Sequence, residues 1–316
     1  MRRIGEWLAH GQRYIRRMPG MPHRYRSDDE DSGRWRDFRF RDGDIVISTR
    51  SKSGTTWMQM ICALLVFQTP DLPARLSELS PWLDWLVVPE EQVLASLEAQ
   101  THRRFIKTHT PLDGVPVVPQ VTYVVVARHP LDMAVSLYHQ GANLDRDRIA
   151  ELTGQPLDVR GQRPPAAEWL RSWIASEADP REQLDSLPGV MWHLSDAWSR
   201  RHEPNVVLVH YDALRRDLDG EMRRLASLLR IDVPESAWPR LVEAATFERM
   251  RSRADELAPD PSRVLKSRRA FFRAGVSGSG RAVLTPADEE RYLDRAARLV
   301  PADLFAWLHR TGPRPT

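Results

Sequence analysis

The chain has 316 residues, of which 41% are hydrophobic and 28% charged, with a formal net charge of +3. That is the balance of a globular α/β chain long enough to bury a large core, and it excludes a disordered or fibrous one. No apolar run reaches the roughly 18 to 20 residues of a membrane span, and the small net charge speaks against a dedicated nucleic-acid binder.

The opening residues lack the apolar stretch of a secretory signal. The single cysteine, Cys62, cannot form an internal disulfide, so a cytoplasmic location is expected. The 46 basic side chains include three lysines, Lys52, Lys107 and Lys266. Lysine can shift its pKa and deliver a proton, whereas arginine stays charged. The lysine positions therefore single themselves out for chemistry.

Residues 1–43 read as an N-terminal arm. Ile4, Trp7, Leu8, Tyr14 and Ile15 could make a short amphipathic helix, docked on the domain or lying on a membrane surface. From residue 44 to 316 the pattern is that of one domain. Ile45-Val46-Ile47 is a short β-branched run between turn signals, hence a buried strand. Thr56 to Gln68 predicts a helix that is apolar nearly all round and therefore buried. Further strands are expected at 105–109, 121–127 and 206–209. A helix should run from Pro130 to about Gln140, with helical segments near 212–230 and a capped helix opening at Thr285-Pro286. Strands alternating with helices imply a parallel sheet covered on both faces. Residues 141–167 and the arginine-dense 251–284 read as long loops.

Between the first strand and helix lies Thr49-Arg50-Ser51-Lys52-Ser53-Gly54-Thr55-Thr56-Trp57. A glycine and small hydroxyl residues entering a helix leave backbone N–H groups pointing at an anion. The segment is not a Walker A loop, because Thr49 and Thr55 stand where that motif has Gly and Lys. Arg128, not a metal-holding carboxylate, follows the third strand. The loop thus reads as a phosphate site served by cationic side chains without a metal, or as a helix cap with no ligand. Strand alternation puts Lys107 and His109 on one side, at a carboxyl end where open α/β sheets bind ligands.

Three motifs in order, Lys-Ser-Gly-Thr-Thr-Trp (52–57), Lys-Thr-His-x-Pro-Leu (107–112) and Arg-x-Pro-x-Asp-x-x-Val-Ser (128–136), resemble the cytosolic-type sulfotransferases that use 3′-phosphoadenosine 5′-phosphosulfate (PAPS). The resemblance runs from Asp44 to about Tyr292. It implies a P-loop-like phosphate site and a sulfuryl transfer with His109 as general base. Lys52 would contact the leaving phosphate and Lys107 the sulfonate oxygens. Ser53, Gly54, Thr55 and Thr56 would cradle the 5′-phosphate and Trp57 stack on adenine. Arg128 and Ser136 would hold the 3′-phosphate.

Tyr211, Thr246, Phe247 and Met250 match the adenine side of such enzymes, with Ala245 where a hydroxyl residue is usual. Arg273, Ala274 and Gly275 resemble their Arg-Lys-Gly segment, so 251–284 would form a nucleotide-covering lid. Trp82 and Trp85 stand in place of two pocket phenylalanines and imply, with His109, an apolar acceptor: a phenol, a lipid or glycolipid, or a secondary metabolite. The product would be adenosine 3′,5′-bisphosphate. The family's dimer pattern keeps Arg281, Thr285 and Glu290 here, but Pro286 removes a backbone N–H, so a monomer or weak dimer is expected. A non-catalytic nucleotide-binding protein and a kinase-like phosphotransferase are the competing classes.

Overall fold

The computed structural model describes residues 21–154, 163–260 and 262–310. The expected amphipathic helix around Trp7 and Tyr14 lies outside the described residues, as does much of the loop expected at 141–167. Four strands, β1 (Ile45–Ser48), β2 (Phe105–Thr108), β3 (Thr122–Ala127) and β4 (Val206–His210), form one sheet in the order β2-β1-β3-β4. Every pairing in it is parallel. The chain leaves β1 toward β2 on one side and reaches β3 on the other. The carboxyl ends of β1 and β3 therefore flank a topological switch point, where sheets of this kind bind ligands.

Helices cover both faces. In chain order they are α1 (Thr55–Phe67), α2 (Leu76–Leu79), α3 (Glu90–Ala99), α4 (Pro130–Asn143), α5 (Arg146–Thr153), α6 (Ala166–Ile174) and α7 (Leu187–Ser199). After β4 come α8 (Tyr211–Arg216), α9 (Leu218–Leu229), α10 (Trp238–Ala244), α11 (Phe247–Ser252), α12 (Ala254–Leu257), α13 (Arg268–Phe271), α14 (Pro286–Leu299) and α15 (Ala302–Leu308).

Strand alternation sends side chains into two separate cores. Val46, Ile106, Tyr123 and Val125 meet residues of α4, α6, α7 and α14. Ile45, Ile47, Phe105, Val124 and Val126 meet α1, α9 and α10. Burial on both faces explains why the strands read as unbroken apolar runs. At the amino ends of β1 and β2, Arg104 and Asp44 make a buried ion pair of 2.5 Å, far from the carboxyl ends that carry the loops.

Two expectations need correction. Residues 146–153 are the helix α5, capped by the Asp145 side chain on the Arg148 N–H, where an uninterrupted loop was expected. Its Arg-Asp-rich sequence hid the helix because no side chain of α5 is fully buried, which leaves a weak apolar stripe. The 251–284 segment, also expected as a loop, carries the short helices α12 and α13, whereas the helical segments expected near 212–230 are α8 and α9, divided at Asp217, whose side chain caps the second. Thr285-Pro286 does start a helix, with a full capping box between Thr285 and Asp288. Residues 21–43 pack on the domain: the Trp35 indole donates to Asp84 at 3.0 Å and the Tyr25 hydroxyl to Asp113 at 2.7 Å.

Candidate active site

A cavity of about 860 Å³ opens over the carboxyl ends of the strands, a size suited to a ligand of several rings. Each strand delivers a polar side chain to it just at or beyond its end. β1 leads into the Lys52 loop, β2 carries Lys107 and His109, β3 is followed by Arg128, and β4 by Tyr211.

The β1–α1 loop is held in an uncommon backbone shape. Lys52 sits at φ 64 and Gly54, the N-cap of α1, at φ 109. A side chain at Gly54 would be strained there, and its Cβ would also come within 2.9 Å of the Tyr211 ring. The Lys52 ammonium lies 3.8 Å from the centre of the Phe271 ring and donates to the Gln140 side-chain Oε1 at 3.4 Å. Burial, with Arg128, Lys107 and Arg273 nearby, pushes its pKa down to about 7.

Lys107 is buried too, and its ammonium lies 3.6 Å from the centre of the Trp82 ring. Desolvation, opposed by Glu30 and Asp84, takes its pKa down to about 8. Two ammonium groups that are costly to keep charged thus face one cavity, the electrostatic condition of a site built for an anion.

His109 is 5% exposed and its Nδ1 lies 2.5 Å from the Thr49 carbonyl. A carbonyl can only accept, so Nδ1 carries the proton and Nε2 keeps a free lone pair. Burial, then Lys107 and Arg50, hold the imidazole well below the usual histidine pKa. The ring is therefore neutral at physiological pH. Trp82 meets it edge to face at 4.6 Å and stacks on Trp85 at 4.9 Å and 7°.

Arg128 fixes the opposite end of the cavity. Its guanidinium lies 4.4 Å from the centre of the Tyr211 ring and donates to the carbonyls of Lys52 at 3.1 Å and Val276 at 3.0 Å. Ser136, two turns into α4, lines the same region, as do Arg273, Ala274 and Gly275. A site with phosphate-loop amides, two ammoniums, an arginine and a neutral histidine can hold an anionic group and take a proton beside it.

The domain model for the sulfotransferase domain matches residues 42–310. This chain belongs to the sulfotransferase family. A glycolipid sulfotransferase of Mycobacterium bovis is 43% identical over 305 residues, covering 90% of this chain and 93% of the relative. A protein of the same description from Mycobacterium tuberculosis is 41% identical over 304 residues, with 90% and 93% covered. Among solved structures, retinol dehydratase in complex with androsterone and inactive cofactor PAP aligns with a TM-score of 0.64 at 20% identity, covering 89% of this chain and 86% of that one. Mouse sulfotransferase SULT7A1 complexed with PAP gives 0.63 at 22% identity, covering 87% and 90%. At such identities these two structures establish the sulfotransferase fold.

Within this sulfotransferase fold, Lys52, Gly54, Thr55, Thr56, Trp57, Lys107, His109, Arg128, Ser136, Tyr211, Phe247 and Met250 all line the one cavity, with Trp82 and Trp85. Two of the expected residues do not. Ser53 is buried, and its N–H donates to the Arg50 carbonyl at 3.1 Å. Thr246 caps α11, its hydroxyl accepting from the Arg249 N–H and donating to the Glu243 carbonyl. Trp57 lines the cavity, and its indole N–H donates to the Ala245 carbonyl at 2.8 Å.

Several groups were missed. Arg50 is 3% exposed and bridges the His109 carbonyl to Asp185, bonding the latter at 2.6 Å. Asp84 accepts from Thr108 at 2.5 Å, Thr110 at 2.6 Å and Trp35, which fixes the backbone on both sides of His109. Arg50 lies within the Thr49–Trp57 segment and Asp84 between Trp82 and Trp85, yet their partners are distant in sequence, so spacing carries no signal of them. Asp29, Glu30 and Asp185 also line the cavity. Burial raises the Glu30 pKa well above its ordinary value.

Proposed function

We propose that this chain transfers the sulfuryl group of PAPS to a hydroxyl of an apolar acceptor. The observation that carries the reading is the convergence of Lys52, Lys107, Arg128 and the free Nε2 of His109 on one cavity at the switch point of the sheet. The residues present fit such a donor. The buried Lys107 ammonium sits against the Trp82 ring, and among the described residues Arg128 Nε is buried without a hydrogen-bond partner. Both are groups an anion would satisfy.

His109 Nε2 takes the proton of the acceptor hydroxyl as its oxygen bonds to sulfur, a contribution of roughly 10²–10⁴ in rate. The bond from sulfur to the bridging phosphate oxygen breaks in line, and adenosine 3′,5′-bisphosphate leaves. Lys52 neutralises the departing phosphate and Lys107 the sulfonate oxygens. The amides of Gly54 to Thr56 hold the 5′-phosphate, and Arg128, Ser136 and Arg273 hold the 3′-phosphate. Trp57, Tyr211, Phe247 and Met250 surround the adenine, and the 251–284 segment is its lid. No step calls on a metal ion.

Trp82 and Trp85 wall the acceptor end. Their stacked pair suits a lipid or glycolipid acceptor, the class named for the mycobacterial relatives; a phenol or secondary metabolite is the narrower alternative. The enzyme acts in the cytoplasm as a monomer or weak dimer, meeting membrane acceptors at the surface. Among the described residues no helix is long and apolar enough to cross a membrane.

Calorimetric titration separates this from an ATP-using phosphotransferase. Adenosine 3′,5′-bisphosphate should bind equally well with magnesium or with a chelator, and at least tenfold tighter than AMP. Equal affinity for AMP, or tighter ATP binding that requires magnesium, would overturn the reading.

A further inference from the structure

The third motif contains an acidic residue, Asp132, to which the donor chemistry gives no part. It is 3% exposed and lies in the first turn of α4, four residues after Arg128. It is not among the residues that line the cavity. One carboxylate oxygen accepts the Gly278 N–H at 2.8 Å, and the other accepts the Gly280 N–H at 2.8 Å and the Ser279 hydroxyl at 3.2 Å. All three donors belong to the loop that follows Arg273, Ala274 and Gly275.

Other contacts pin the same loop. Arg128 donates to the Val276 carbonyl, and the Ser277 hydroxyl donates to Asp212. Gly280 lies so close to α4 that a Cβ there would meet the Leu131 carbonyl carbon at 2.5 Å. The far end of α4 holds the earlier part of the covering segment. Asn143 donates to the Ser267 carbonyl at 2.9 Å and accepts the Ser267 N–H at 3.0 Å, and Leu144 pairs with Leu265.

Asp132, Ser136, Gln140 and Asn143 are spaced four, four and three apart, so they share one face of α4. That single stripe presents Ser136 and Gln140 to the cavity while its ends grip the covering segment fore and aft. A segment gripped in this way is fixed relative to Ser136 and to Arg128, which immediately precedes the helix.

We infer that Asp132 is a positioning residue for the 3′-phosphate half of the donor site, acting by holding the Val276–Gly280 loop so that Arg273 and Gly275 face Arg128 and Ser136. This rests on the donor assignment made above. An ionised carboxylate that accepts two backbone N–H groups is a strong, directional anchor. A carboxamide in its place has one acceptor oxygen, and its NH₂ would confront one of those N–H groups. The shape of Asp132→Asn is therefore conserved while the anchor is broken.

The test is calorimetry with adenosine 3′,5′-bisphosphate and AMP on the wild type and Asp132→Asn, with melting temperatures recorded for both. The expected result is a loss of tenfold or more in bisphosphate affinity, AMP affinity within twofold of wild type, and a KM for PAPS that rises with little change in acceptor KM. Ser277→Ala, which loosens the same loop without touching α4, should shift bisphosphate affinity in the same direction by a smaller factor. Loss of affinity for both nucleotides alike would show a general structural role and overturn the inference, as would unchanged bisphosphate affinity. If the wild type itself did not prefer the bisphosphate, the donor assignment would fail instead, so the two failures are distinguishable.

Discussion

The two ends of the cavity are built differently. At the end proposed for the donor, Lys52, Arg128 and Tyr211 each stand within a few residues of a strand's carboxyl end, so the parallel sheet sets their spacing before any loop is considered. At the end proposed for the acceptor the walls come from separated stretches: Tyr25 to Glu30, Trp82 and Trp85, Leu144 to Ile149, and Glu182 to Ser186. The lesson is that recognition of a fixed anionic group can be written in short motifs on a rigid scaffold. Recognition of a variable apolar group is assembled from loops.

His109 stands at the seam between the two ends, and removing it should separate them most sharply. His109→Ala should lower kcat for an unactivated alcohol by roughly 10²–10⁴ while leaving bisphosphate affinity within a few fold, because a base acting on the acceptor contributes little to donor binding. Activity within threefold of wild type would remove His109 from the base role. The depressed pKa carries a further consequence. Since burial and two nearby cations favour the neutral ring, the acid limb of the kcat/KM profile should fall well below pH 6.5.

Charge sharpens the donor end specifically. In the free protein Lys52 titrates near 7 and Lys107 near 8, both lowered first by burial. A bound anion raises both, so binding between those values and the restored ones takes up protons. Affinity is therefore full below about pH 7 and weakens as pH rises, by about tenfold per pH unit for each lysine that must be protonated. Calorimetry in buffers of different ionisation enthalpy should detect the uptake at pH 8. An affinity flat from pH 6.5 to 9 would mean the ammoniums do not meet the anion.

Trp82→Ala should have the smallest effect and the most local one. It removes a ring that stacks on Trp85 and meets both His109 and Lys107. A several-fold rise in acceptor KM is expected, with PAPS KM nearly constant. The reverse pattern would place Trp82 with the donor and dissolve the division drawn above.

How far the sequence reveals this architecture follows the same line. The sheet was legible because β1, β2, β3 and β4 are buried on both faces and read as apolar runs, and the places of Lys52, His109, Arg128 and Tyr211 because each closely follows such a run. α5 was not, since its side chains are half exposed and its charges mask the period. Arg50 and Asp84 were not, because their bonds to Asp185 and to Trp35 and Thr110 join residues from 26 to 135 positions apart. Asp132 was in plain view within a motif, yet its work, gripping Gly278 and Gly280, depends on a loop about 146 to 148 residues away. Thr246, matched to the adenine side by its neighbours in sequence, caps α11 and is not among the residues that line the cavity.

The central claim is sulfuryl transfer from PAPS to a hydroxyl, and one assay tests it directly. The protein is incubated with sulfate-labelled PAPS, a chelator, and a panel of glycolipid, lipid and phenol acceptors. Label should appear on at least one acceptor in amounts that exceed the enzyme present, and its rate of appearance should fall by roughly a hundredfold or more with His109→Ala. Tight binding of adenosine 3′,5′-bisphosphate with no labelled product from any acceptor would contradict the account and leave a nucleotide-binding protein that does not transfer.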